Sequence, residues 1–139
     1  MKHFSLKIKL SMIILILLTF TSGLFAFSDE REAILGCVDR FYHSKRTGDL
    51  QLMRAVLHDS WQMKYLERQA KVNIVARDTY VNYFKNGGMS VSSYQITILD
   101  TSRNGEIAQV KVVYGNCDEY LTLFKIEGKW RIVDKVYTE

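Results

Sequence analysis

Two tight-turn signals in the last third of the chain constrain its fold more than any other feature. Asn104-Gly105 separates two strand-like runs, Val91 to Thr101 and Glu106 to Tyr114. Glu127-Gly128-Lys129 separates Glu119 to Ile126 from Trp130 to Tyr137. Short Gly-containing links between alternating apolar runs fold a chain back on itself, so these four segments are expected as antiparallel neighbours. Trp61 to Leu66 and Lys71 to Val75, around Glu67-Arg68, read as a further hairpin.

Ahead of these strands the apolar period changes from two to 3.6. Ile34, Leu35, Val38, Phe41, Tyr42 and Lys45 fall on one face of an amphipathic helix, and Asp29-Glu30 suits the positive end of its dipole. Gly48 is expected to end it, and Asp49 to cap a short second helix that turns Leu50, Met53, Val56 and Leu57 inward. A third helix is predicted from about Asp78, burying Tyr80, Val81 and Phe84 and stopping at Gly87-Gly88. The chain of 139 residues has no proline, no repeat and no low-complexity linker to mark an internal boundary. The expectation is an α+β fold, with three N-terminal helices packed on a curved, mainly antiparallel six-stranded sheet.

Residues 1–28 read as a secretory leader. Lys2, Lys7 and Lys9 form a basic head, Leu10 to Phe20 carry no charge, and Ala26-Phe27-Ser28 offers small residues for cleavage after Ser28, with Ala26 the next choice. The alternative is a retained anchor, since Leu10 to Phe27 is just long enough to span a bilayer. The domain is then 29–139, secreted or periplasmic. Because the leader holds three lysines and no acid, the formal +4 of the whole chain falls to +1 beyond it. A near-neutral domain without clustered Lys or Arg lacks the field that draws nucleic acid, and once the leader is cleaved no membrane partner is expected.

Cys37 and Cys117 are open to two readings. An oxidising compartment permits a bridge, closing a loop of roughly 80 residues worth about 4–5 kcal/mol. Two buried free thiols are the alternative. With only His43 and His58 besides, no metal site is expected, and no cofactor.

Gly48-Asp49, His58-Asp59, Tyr80 with Phe84, Ala108-x-Val110-x-Val112, and the close Tyr120-Leu121-x-Leu123-x-Lys125-Ile126-x-Gly128-Lys129-Trp130-x-Ile132-Val133-x-Lys135 together carry a resemblance. Over about residues 31–137 the chain resembles the nuclear transport factor 2-like superfamily, and within it the putative lumazine-binding (SnoaL-like) branch. The resemblance implies a conical α+β barrel with a pocket between helices and sheet, often dimeric through the outer sheet face. It implies no single activity.

Steroid isomerases of that superfamily use a carboxylate base on the first strand, with an oxyanion hole built from a helix-one tyrosine and a protonated aspartate. Counting from Gly48-Asp49, the tyrosine position holds Phe41 and the base position Tyr65, while the later acid falls near Asp118 or Glu119. Phe41 has no hydroxyl and Tyr65 is too weak an acid to serve as a resting base. The steroid-isomerase site is therefore absent, and no catalytic residue is assigned.

His58 has the right residue type for acid–base work, but its place just after a helix favours satisfying the last carbonyls. Asp134 either enters the pocket or pairs on the outer face, Cys117 lacks an identifiable base, and an apolar cone would keep an inward Glu119 protonated. Strand parity stays open: Trp130, Ile132 and Asp134 share one face, and Arg131, Val133, Lys135 and Tyr137 the other. The candidate pocket residues are Phe41, Tyr65, Tyr80, Phe84, Tyr114, Glu119 and Trp130, whose rings and polar tips suit a small planar ligand. The leading expectation is an exported, non-catalytic binding or accessory module. The competing one is a small exported enzyme doing general acid–base chemistry, isomerase- or dehydratase-like, in the same pocket. A homodimer through the outer sheet face is the protein partner to expect.

Overall fold

A computed structural model describes residues 29–67 and 71–138. The expected leader lies outside the described residues. Helix α1 covers 29–47, α2 Leu50–Val56 and α3 Arg77–Asn82. Strands β1 Leu57–Leu66, β2 Val72–Ala76, β3 Tyr94–Thr101, β4 Ile107–Tyr114, β5 Cys117–Ile126 and β6 Lys129–Thr138 form one sheet in the order β2-β1-β6-β5-β4-β3. All neighbours are antiparallel except β1 and β6. This is the α+β arrangement of three helices on a mainly antiparallel six-stranded sheet that the patterning predicts. Among the described residues no helix is long and apolar enough to cross a membrane.

The core lies between the helices and the inner sheet face. Ile34, Cys37, Val38, Phe41 and Tyr42 are buried from α1, and Met53 and Val56 from α2. They meet Trp61, Val110, Leu121, Leu123 and Ile132 from the strands, all of them buried. The α1–α2 corner follows the capping logic: Gly48 adopts φ +71° and Asp49 accepts the Leu52 N–H at 2.9 Å. Glu127 and Gly128, at φ 50° and 73°, turn β5 into β6 with the twist that a two-residue hairpin needs.

Three boundaries differ from expectation by about three residues or more, the others by one or two. β1 begins at Leu57, so His58 and Asp59 lie within it, because Leu57 pairs with Ile132 of β6. α3 ends at Asn82, and Phe84 reaches the core from the turn that follows. β3 begins at Tyr94, its pairing with β4 starting where Tyr94 meets Tyr114.

Gly88 does more than stop a helix. A Cβ there would stand 1.9 Å from the Arg46 carbonyl oxygen, and the Met89 N–H donates to the Lys45 carbonyl at 2.9 Å. Only glycine lets the segment after α3 press against the C-terminal turn of α1, which fixes the backbone of Lys45.

Candidate functional site

The sheet register stacks the inner face in rows of changing chemistry. Ala108, Leu123, Ile132 and Leu57 make one row, wholly apolar and buried. The next is Val110, Leu121, Lys135 and Met63. Then come Val112, Glu119, Tyr137 and Tyr65, and after Val112 and Glu119 the Tyr114–Cys117 pair. Glu119 faces inward because it alternates with Leu121 and Leu123 on β5. Lys135 faces inward for a different reason. Thr122 pairs with Asp134 but Leu123 pairs with Ile132, so Val133 is an extra residue and β6 carries a bulge there. Trp130 and Ile132 face the core before it, Lys135 and Tyr137 after it. The bulge divides both parity sets: Asp134 leaves the first set's face and Lys135 takes the inner side.

Across from these rows, α1 presents Phe41, Tyr42 and Lys45. Four polar groups meet where helix and sheet face each other. The Tyr42 hydroxyl donates to Glu119 Oε2. Lys135 Nζ donates to Glu119 Oε1 at 2.7 Å, and Lys45 Nζ stands 3.7 Å from the same oxygen. Glu119 and Lys45 are each 2% exposed and Lys135 3%. The lysines also sit over aromatic faces: Lys45 Nζ is 4.9 Å from the ring centres of Tyr42 and Tyr114, and Lys135 Nζ 5.6 Å from that of Tyr80.

Burial opposes every charge here, and the pairing decides which survive. Burial alone would raise the Glu119 carboxyl, but Lys135 and Lys45, with the hydrogen bonds from Lys135 and Tyr42, hold it below its ordinary range. The expectation of a protonated Glu119 is thereby corrected: the cone brings two ammonium groups to it. Lys135 is lowered by burial, partly restored by Glu119. Lys45 is lowered to about 8 by burial and then by Lys135, which together outweigh Glu119. Burial and the neighbouring carboxylate push the Tyr42 phenol up, so it stays a donor.

A cavity of about 380 Å³ opens onto this cluster. Tyr80, Phe84, Tyr114 and Tyr137 supply rings to its wall, Lys45, Glu119 and Lys135 its charged end, and Gly87-Gly88-Met89 part of its rim. Of the seven candidates read from sequence, Tyr80, Phe84, Tyr114 and Glu119 line it. Phe41 is fully buried within 5.8 Å of both lysine nitrogens. Tyr65 stacks on Tyr137 with ring centres 5.2 Å apart. Trp130 packs in the core, where its carbonyl accepts the Cys37 thiol at 3.3 Å.

The residues that sequence reasoning missed are Tyr42, Lys45 and Lys135. The hydroxyl found absent at Phe41 is carried by the next residue, turned toward Glu119. Part of the signal was there: an acid alternating with Leu121 and Leu123 is buried and needs a cation, although no local pattern says which lysine supplies it.

The remaining candidates lie elsewhere. His58 sits in β1, where its Nδ1 accepts the Ser60 N–H at 3.2 Å, so it does not serve a helix end. Asp134 takes the Lys64 ammonium at 2.7 Å on the other side of the sheet. Cys37 and Cys117 are free thiols, the first buried and the second lining the cavity. Among the described residues no three His, Cys, Asp or Glu side chains converge as a metal group.

The family described as putative lumazine-binding matches residues 29–138. Among solved structures, an NTF2-like protein of unknown function from Silicibacter pomeroyi DSS-3 is 22% identical, with a TM-score of 0.66 over 81% of this chain and 97% of that one. The association domain of C. elegans CaMKII is 14% identical, with a TM-score of 0.58 over 81% of this chain and 97% of its own. A protein described as a putative scytalone dehydratase from Novosphingobium aromaticivorans is 17% identical, with a TM-score of 0.56 over 78% and 82%. These likenesses are of fold. No curated protein matches.

Proposed function

The chain belongs to the family described as putative lumazine-binding, and on that premise we propose that it is an exported, non-catalytic module that holds a flat heterocyclic small molecule. The observation that carries this reading is the cavity of about 380 Å³, with aromatic walls and a few charged groups gathered at one end. Rings that stack and sparse polar groups that orient are what small-molecule sites use. Export is supported by the basic head, apolar stretch and small residues of the first 28 positions.

Acid–base catalysis in the same cavity is the weaker reading. A general base must have a lone pair to offer near its operating pH. Glu119 keeps lone pairs, but Lys135, Lys45 and the hydrogen bonds from Lys135 and Tyr42 hold its carboxyl below the ordinary range, which makes it a weak proton acceptor at neutral pH. His58 and Asp134 are bonded to other groups, outside the cavity lining.

A second copy of the chain is the protein partner in this reading. The outer sheet face exposes Phe124 paired with Ile107, and Tyr120 paired with Val136, a set of large apolar groups on adjacent strands. The fold neighbour from C. elegans is by its description an association domain.

Native mass spectrometry of protein purified from its own cell envelope, together with lumazine titration followed by fluorescence and calorimetry, tests the proposal. A retained small molecule or saturable one-to-one binding is expected. A protein that arrives empty and binds neither lumazine nor related planar heterocycles would overturn it.

A further inference from the structure

We propose that the molecule this cavity takes is a flat ring system carrying one negative charge, its anionic oxygen meeting Lys45 Nζ while its ring lies among Tyr80, Tyr114 and Tyr137. The inference rests on the small-molecule reading above and adds to it the charge of the ligand and the residue that reads it.

The argument begins with a count of charges. Two lysines and one glutamate meet in the cluster, so with both lysines protonated it holds one positive charge more than it can neutralise. The hydrogen bonds show which lysine is in excess. Glu119 Oε2 accepts from Tyr42, and Oε1 accepts from Lys135 at 2.7 Å. Lys45 Nζ, at 3.7 Å, lies beyond hydrogen-bond range of that oxygen. It has three protons to donate, is 2% exposed and lines the cavity. Aromatic faces soften a buried ammonium but do not neutralise it.

Two routes relieve such a group: it gives up its proton, or an anion enters beside it. The depression of Lys45 to about 8 reflects the first route and leaves it mostly charged at neutral pH. The groups facing it are Glu119 and Cys117 from β5, Lys135 and Tyr137 from β6, Tyr114 from β4, Tyr42 from α1 and Tyr80 from α3. Among them the single carboxylate is already bonded, so an incoming anion supplies the missing charge. A neutral ring would leave the excess in place, a cation would double it, and a dianion would reverse it. The tyrosine rings set the other requirement, a flat face.

The test compares 1-naphthoate with its neutral counterpart 1-naphthamide, by calorimetry and by ring-proton shifts of the protein. At about pH 7 the naphthoate is expected to bind at least ~10-fold tighter than the amide. Between about pH 7 and 9 its affinity should drop about tenfold as Lys45 loses its proton, while the amide's stays level. Lys45→Met should reduce naphthoate to the affinity of the amide, and Lys45→Arg should keep the preference. Equal binding of both probes overturns the charge inference and leaves the small-molecule reading standing. Naphthoate preference that survives in a folded Lys45→Met protein overturns the assignment to Lys45. Failure of both probes while lumazine still binds overturns the charge inference alone, and failure of lumazine as well overturns both readings.

Discussion

Replacing Lys45 by methionine keeps an unbranched side chain of similar length and removes one buried charge, so its effect on stability isolates that charge. In the unfolded chain the lysine titrates at 10.5; in the folded protein burial and Lys135 bring it down to about 8. Between those two values the unfolded state binds the extra proton, so the Lys45 contribution makes stability rise with pH. Below about pH 8 both states are protonated and the fold bears the whole cost, about 3 kcal/mol at about 1.4 kcal/mol per pH unit. Above the unfolded value the cost is gone. Roughly 2 kcal/mol of it should be relieved between about pH 7 and pH 9.5. Cys37, Tyr42, Tyr80 and Tyr94 are all raised, and oppose this gain toward alkaline pH. They are present in both proteins, so only the part of each shift that depends on Lys45 enters the difference. Urea unfolding of wild type and Lys45→Met at intervals from about pH 7 to 9.5 should show the variant ahead by up to ~3 kcal/mol at neutral pH. That lead should shrink by ~2 kcal/mol at the alkaline end. A difference that is flat, or that widens with pH, refutes the reasoning, because it would mean that Lys45 titrates no lower in the folded protein than in the unfolded one.

Other outcomes follow from the same geometry. Lys135→Met removes the hydrogen bond to Glu119 Oε1 and leaves that oxygen facing Lys45 at 3.7 Å; a cost of about 1.5–3 kcal/mol is expected in urea unfolding near pH 7. Tyr42→Phe removes one hydrogen bond to that carboxylate and should cost about 1.5–3 kcal/mol by the same measurement. Gly88→Ala forces a methyl against the Arg46 carbonyl; a loss of roughly 2 kcal/mol or more is expected, with faster amide exchange at Met89. Phe124→Glu puts a charge in the middle of the exposed apolar face, and sedimentation should show a dimer giving way to monomer with little change in melting temperature.

Much of the fold was legible because it is locally encoded. The spacing of Ile34, Val38, Phe41 and Tyr42, the Gly48-Asp49 corner and the Glu127-Gly128 turn each act within a few residues of themselves. The start of β1 was not legible: His58-Asp59-Ser60 is a polar run, drawn into the sheet only because Leu57 pairs with Ile132 far along the chain. The site was half legible. Glu119 and three of the cavity-lining rings could be picked from residue type and strand alternation. Lys45 could not be distinguished from the many lysines that edge an apolar helix face and reach for water. Its burial depends on a carboxylate on β5, a contact that no local pattern announces. Lys135 was hidden by Val133, since period-two counting fails once a strand carries an extra residue.

That single unpaired residue sets the sign of the cavity. Were Val133 paired in regular alternation and not bulged, the period set by Trp130 and Ile132 would carry Asp134 and Val136 to the interior and turn Lys135 and Tyr137 outward. The floor would then hold two carboxylates and one amine, and favour cations. Deleting Val133 would keep Lys135 inward, since Asp134 then takes the outward place next to Ile132, so the sign of the ligand follows from whether this position is bulged and not from the length of the strand. An alignment that slides β6 by one place would transfer a specificity to the wrong relative.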